Sequence, residues 1–190
     1  MSLPDKLKER TKLYHQDVEK VLVKELKSIS TLEQYATLLD RLYQFYFPIE
    51  KKLQNIIDRS LISDIGKRQH TKRLFDDLSV LNFGFKVEEN LALISIDNPS
   101  YAIGVLYVIE GSTLGGQIIS KMLKKQLQLK ESDINITSYF NSYGINTQGM
   151  WLSFKNDLCK SQKKIDEEEV MLGAIDTFKT LKNWLLATSF

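Results

Sequence analysis

The stretch Tyr101–Gln117, YAIGVLYVIEGSTLGGQ, limits the possible folds of this chain more than any other. An apolar-rich run leads straight into Gly111-Ser112-Thr113-Leu114-Gly115-Gly116, and the apolar pattern resumes through Ile118, Ile119, Met122 and Leu123. No proline and no strand-ending signal interrupts it, so the pattern predicts one helix with three glycines in its middle. Each interior glycine costs roughly 1 kcal/mol against alanine, so the three together cost on the order of 3 kcal/mol. Glycines in such places imply that something approaches the backbone closely, or that the helix bends. Gly111 and Gly115 are four apart and share a face, which Gly116 flanks. Two occupants answer that description: a flat ligand on a glycine-floored, kinked helix, or a tightly crossing second helix.

The rest of the chain is also helical in pattern. Asp5 to about Lys27 carries Leu7, Thr11, Tyr14, Val18, Val21, Leu22, Val23 and Leu26 at three- and four-residue steps. Ser30 or Thr31 is the expected N-cap of the next helix, and Thr31-Leu32-Glu33-Gln34 fits a capping box. That helix bears Tyr43, Phe45, Tyr46 and Phe47, and Pro48 is expected to kink or restart it. A helix follows over about Gly66–Leu81, then a loop at Asn82-Phe83-Gly84, a short strand or connector at Glu88–Ile94, and the glycine helix, ending near Leu129. Asp133–Gly149 reads as a polar loop with one turn of helix, and Met150–Lys164 and Glu167–Leu186 read as two closing helices. The expectation is an all-α bundle of about seven helices forming one domain over residues 1–190.

Composition excludes several classes of function. Apolar residues make up 43% and charged residues 26%, and a net charge of +2 is too small to argue for nucleic acid or a membrane surface. The single Cys159 forms no intrachain disulfide and no cysteine-based zinc cluster, and is expected to pack as a small apolar residue. Charges in MSLPDKLKER stand where a signal peptide is apolar. No segment is expected to reach the roughly 18 apolar residues of a spanning helix, so the reading is a soluble cytoplasmic protein. There is no E-x-x-H, G-x-S-x-G, P-loop or G-x-G-x-x-G. Trp151 with Phe154, and Phe178 with Leu181 and Trp184, are spaced as core residues.

Two histidines remain. His70, in KRQHTKR, is surrounded by cations and is expected on the solvated surface. His15 has Glu19 four residues later on the same face, where a carboxylate could take the second ring N–H of a metal-bound imidazole. Lys12 and Lys8 precede it on that side, with Lys8 roughly 10 Å away along the axis. Two cations beside a metal ligand suit a metal complex with peripheral carboxylates. A solvated histidine on a charged amphipathic helix fits the same residues.

Taken together, these segments resemble the heme oxygenases in their bacterial, biliverdin-producing form. Leu7-Lys8-Glu9-Arg10-Thr11-Lys12-Leu13-Tyr14-His15-Gln16-Asp17-Val18-Glu19 is similar to the family's proximal helix, L-K-x-x-T-x-x-x-H-x-x-x-E. Leu42-Tyr43-x-Phe45-Tyr46-x-Pro48-Ile49-Glu50 is similar to a bacterial L-Y-x-F-Y-x-P-x-E segment, and Gly149-Met150-Trp151-x-x-Phe154 to a later signature. Leu106–Gln117 resembles the distal helix. The resemblance implies that His15 ligates heme iron, that Glu19 steadies it, and that Lys8 and Lys12 face the propionates, with Thr11 between them. It implies that Gly111, Ser112, Gly115 and Gly116 form the distal wall, with room for O2. It also implies that heme is both substrate and cofactor, cleaved to biliverdin, iron and CO with electrons from a ferredoxin, a flavodoxin or a reductase. A bilin-binding photoreceptor could accept the product. Two positions depart from relatives: Ser112, where some members carry Asp, and Leu152, where many carry Arg. They motivate a second reading, a heme- or bilin-binding protein without turnover, and a third reading is a helical scaffold without a ligand.

Overall fold

Local capping sets where most helices begin in the computed structural model, which describes residues 1–84, 93–130 and 136–188. Ser2 caps α1 (Leu3–Ser28), its hydroxyl accepting the Asp5 N–H, with Pro4 in the first turn. α2 (Leu32–Ile56) opens on the expected capping box. The Gln34 N–H donates to Thr31 Oγ1 at 3.2 Å, and the Gln34 side chain accepts the Thr31 N–H at 3.3 Å. α4 (Pro99–Gln126) starts at Asn98, whose side chain accepts the Tyr101 N–H at 2.8 Å. It stops at Gln126, short of the expected Leu129, because Gln128 turns left-handed (φ 51°) and the Leu129 N–H closes back on the Lys124 carbonyl at 2.9 Å. α5 spans Thr147–Ser161, and a 3-10 turn, Gln162–Lys164, follows it. α6 (Glu167–Ala187) is capped by the Asp166 carboxylate.

α3 (Thr71–Val80) begins five residues after the expected Gly66. The cause is not local. Glu50, on α2, accepts the His70 N–H at 2.7 Å and the Thr71 N–H at 3.2 Å, so it caps α3 from outside, and Ile65–Lys67 form a separate 3-10 turn. Pro48 lies inside α2, and the helix runs through it. It removes one donor without ending the helix. The described residues therefore hold six α-helices rather than about seven. The possible strand at Glu88–Ile94 falls largely outside the described residues, as does the start of the Asp133–Gly149 loop. The rest of that loop, 136–146, is turns ending in a 3-10 turn, Gly144–Asn146.

α4 carries the core. Every residue from Ala102 to Glu110 is buried. The expectation that no segment reaches spanning length fails here: an 18-residue window of α4 has a mean hydropathy of 1.4, with 61% of it buried inside the protein. The apolar run is accounted for by neighbours on all sides rather than by a single amphipathic face. α6 packs closest to it. A Cβ on Gly104 would come 2.0 Å from the Val170 carbonyl oxygen, and one on Gly173 would come 2.2 Å from that of Tyr101, so only glycines permit this crossing. α1 runs beside α6 in the same direction, with Lys6–Glu167 (2.6 Å) near both starts and Asp17–Lys182 (2.7 Å) further along. These solvent-screened pairs orient α1 against α6 more than they stabilise it. Phe45 and Phe154 are fully buried, Phe178 and Leu181 buried, and Trp151 and Trp184 half-buried against the same core. Cys159 departs from expectation: it is exposed on α5.

Candidate functional site

Thr11 and Tyr107 place α1 and α4 face to face. The Tyr107 phenol, its pKa raised by burial, lies near the Thr11 side chain, which is itself buried and donates to the Leu7 carbonyl at 2.7 Å. His15 lies four residues beyond Thr11 on the same stripe of α1. Gly111 and Gly115 lie four and eight residues beyond Tyr107 on the same stripe of α4. The two helices meet again at their C-terminal ends, where Gln126 Nε2 donates to the Leu26 carbonyl at 3.1 Å and also to that of Ile29. Both helices rest on α6. Between the two ties the exposed stripes of α1 and α4, both packed on α6, delimit the candidate cleft, with α1 and α4 as walls and α6 as floor.

The α1 wall is polar and open. His15 and Glu19 are exposed, as are Lys8 and Lys12. His15 Nδ1 lies 3.8 Å from Glu19 Oε2, on the face the sequence indicated but beyond hydrogen-bond length. The imidazole stands edge-on to Phe178 of α6, with centroids 5.7 Å apart, so the floor braces the ring.

The α4 wall is bare backbone. Nothing stands within 4 Å of a Cβ placed on Gly115, and a Cβ on Gly111 would make only an ordinary contact, 3.9 Å, with Trp151. Both glycines have φ in the ordinary helical range. Ser112 beside them is exposed, with its hydroxyl donating to the Ile109 carbonyl at 2.6 Å. Ile118, one turn further, is 74% exposed. Trp151 also lies 5.6 Å from the Tyr107 ring and closes that end of the cleft. Gly116 belongs to the other side of the helix. It is buried, and a Cβ there would sit 2.0 Å from the Phe140 carbonyl oxygen. The crossing explanation therefore holds for Gly116, against a turn rather than a helix, and fails for Gly111 and Gly115.

Behind the cleft, Glu110 anchors a buried polar cluster that sequence reasoning did not foresee. Arg68 Nη1 donates to Glu110, and Arg68 is also paired with Asp64 at 2.7 Å. Burial disfavours the Arg68 charge, but Glu110 and Asp64 outweigh it and hold the guanidinium pKa above its ordinary value. His70 Nε2 lies 2.8 Å from Glu110 Oε1. The Tyr143 hydroxyl donates to the same oxygen at 3.0 Å, and burial together with the Glu110 charge raises its pKa well above that of a free phenol. His70 is thus 3% exposed, not solvated as expected. Its own segment gave no signal: Lys67 and Gln69 are exposed and Arg68 and His70 buried, but all four are polar. The one hint was Glu110, a lone carboxylate ending an apolar run.

The sequence pattern of the family described as Heme oxygenase matches residues 1–187. The chain belongs to the heme oxygenase family. No curated protein sequence matches it. Among solved structures it is similar to the NO- and CO-bound heme oxygenase of Neisseria meningitidis, at 21% identity over 99% of this chain and 92% of that one, with a TM-score of 0.78. It is also similar to the heme oxygenase of Leptospira interrogans, at 20% identity over 97% and 98%, with a TM-score of 0.75. The heme oxygenase-1 of the cyanobacterium Synechocystis, solved in complex with heme, matches at 18% identity over 100% and 93%, with a TM-score of 0.75. At these identities the likeness is one of fold, and it bears out the all-α architecture. Of the residues the heme oxygenase resemblance singled out, Lys12, His15, Glu19, Gly111, Ser112 and Gly115 lie on α1 and α4 between the two ties, and Lys8 is exposed about one turn before Thr11. Thr11 is at the end of the cleft, and Gly116 faces away from it.

Proposed function

We propose that this heme oxygenase holds heme in the cleft between α1 and α4 and opens it to biliverdin, iron and CO. The observation that carries the reading is an exposed histidine on one helix opposite a stripe of another helix that has no side chains. A flat porphyrin would suit that arrangement: His15 would hold its iron, and the glycine backbone would come within van der Waals distance of the ring. Bound heme supplies the iron and the oxidisable ring, and O2 and external electrons complete the chemistry.

The chain's own residues orient and enclose. His15 Nδ1 is on the Glu19 side, which leaves Nε2 to ligate iron, and Phe178 keeps the ring from swinging toward α6. Lys8 and Lys12, both exposed, would pair with the heme propionates and so favour one orientation of the ring under the glycines. Gly111 and Gly115 leave space for O2 and restrict it to one side. The Ser112 oxygen, whose proton is turned to Ile109, accepts a hydrogen bond from water at that wall. Electrons come from a partner of the ferredoxin, flavodoxin or reductase class, because the sequence holds no flavin or nicotinamide motif. The protein acts as a single cytoplasmic domain, with a bilin-binding photoreceptor as one destination for its product.

The test is a hemin titration of wild type and His15→Ala, followed by turnover with ascorbate or reduced ferredoxin in air. Wild type should give a histidine-ligated Soret band that bleaches into a bilin spectrum. The variant should fold, and should lose both the ligated spectrum and the bilin. An unchanged Soret band in His15→Ala defeats the ligand assignment, and a wild-type Soret band that never bleaches supports binding without turnover.

A further inference from the structure

Between Gly111 and Gly116, α4 has little of its own to fix its position. Three of the six residues lack side chains, and Ser112 and Thr113 direct their hydroxyls to carbonyls of their own helix, at 2.6 and 2.7 Å. The residues that bracket this span, Glu110 and Gln117, are seven apart, about two turns or roughly 10 Å along the axis. Both reach the same short turn. The Tyr143 hydroxyl donates to Glu110, and Gln117 Nε2 donates to the Gly144 carbonyl at 2.5 Å. Between them, the Phe140 carbonyl lies against the bare backbone of Gly116. Gly144 adopts φ +53°, a left-handed conformation that a residue with a Cβ rarely takes, at the point where the turn presents that carbonyl. The turn is itself fastened to α3: the Asp77 carboxylate accepts the Ser138 and Tyr139 N–H groups, each at 3.0 Å.

We propose that the Phe140–Gly144 turn is a splint for the glycine span of α4, and that Tyr143 is a positioning residue that sets how closely Gly111 and Gly115 approach the substrate. This rests on the heme cleft described above. It follows from the geometry that the bare wall is held from behind, at Glu110 on one end and at Gly116 and Gln117 on the other, by one segment anchored to a third helix. A displacement of about 1 Å at a reacting centre can cost on the order of a hundredfold in rate, so a splint of this kind acts on chemistry without touching the substrate.

Tyr143→Phe tests it. The variant keeps the ring, which stands edge-on to His70 at 5.1 Å, and leaves Glu110 paired with Arg68 and His70. In the ligand-free protein, backbone amides of residues 112–117 should exchange hydrogen at least tenfold faster, while those of 103–109 hold their rates. In turnover, kcat should fall at least tenfold with KM within threefold, and the mixture of bilin isomers should change. Glu25→Gln, which breaks the buried Arg41 pair at the other end of α1, is the control. It should lower the melting temperature without moving the exchange of 112–117 or the isomer ratio. If Tyr143→Phe behaves like that control, the splint is overturned. If wild type yields no bilin, the heme oxygenase reading fails, while the exchange experiment alone still decides whether the turn holds the span. Should Tyr143→Phe fail to fold, Gln117→Met removes the other bracket and is read in the same way.

Discussion

Over the same two turns, α4 shows one face made for contact and another made for vacancy. Gly116 is glycine because the Phe140 carbonyl occupies the place of its Cβ, whereas Gly115, its neighbour in sequence, is glycine with nothing within 4 Å. One residue type thus serves opposite ends a step apart, and the surroundings alone tell them apart. Packing demands the first glycine; no packing demands the second, although helix propensity disfavours both by about 1 kcal/mol. A position that is costly and not required by the fold points to a ligand.

The largest expected effect belongs to the closed face. Gly116→Ala must displace a backbone carbonyl, and overpacking of that kind costs on the order of 3 kcal/mol, or roughly 6–12 °C in Tm for a chain of this size. A thermal melt of the ligand-free variant checks it, and an unchanged Tm would show that the turn yields freely.

The closed face should also respond to pH. Burial raises the Asp77 pKa from 3.8 to about 6, against the lowering effect of its bonds to Ser138 and Tyr139. The protonated form is therefore favoured in the folded state. The resulting stability is fully present below pH about 4 and is lost as pH rises through 6, at most roughly 3 kcal/mol in all. The Tm of wild type relative to Asp77→Asn should thus fall between pH 4 and 7. A rise would mean that the hydrogen bonds outweigh burial. The open face holds no such group, and Gly115→Ala should leave that profile as it is.

The smallest effect lies at the rim. Lys8 and Lys12 are exposed, and ion pairs there are worth about 0.2–1 kcal/mol each. The double variant Lys8→Ala/Lys12→Ala should bind hemin within roughly tenfold of wild type and shift the bilin isomers, as read by chromatography. An unaltered ratio removes the propionate role.

These contrasts follow what the sequence could reveal. Thr31 was legible as a cap because its partner, Gln34, lies three residues away. The start of α3 was not, because its cap, Glu50, comes from another helix. The spacing of Gly111 and Gly115 showed that they share a face, but not that Phe140, 24 residues past Gly116, would cover the opposite one. His70 was misread for the same reason. Its cationic neighbours suggested solvent, and the carboxylate that claims it, Glu110, is 40 residues on. Replacing His70 is therefore not silent, since it strips one partner from a buried charge. The stripe from Lys8 to Glu19 was readable because it lies on one helix, yet the wall it faces is set by contacts to α4 about 100 residues away, such as Gln126 to the Leu26 carbonyl.

Gly115→Ala, measured twice on one preparation, reaches the centre of this. The methyl group enters open space on a helix with ordinary dihedrals, so the Tm of the ligand-free protein should hold or rise by the equivalent of up to about 1 kcal/mol. In the proposed heme cleft the same methyl would enter the space left for O2, so hemin should still bind while bilin yield collapses. A lower Tm together with wild-type bilin yield would contradict the account, because it would make Gly115 a packing glycine like Gly116.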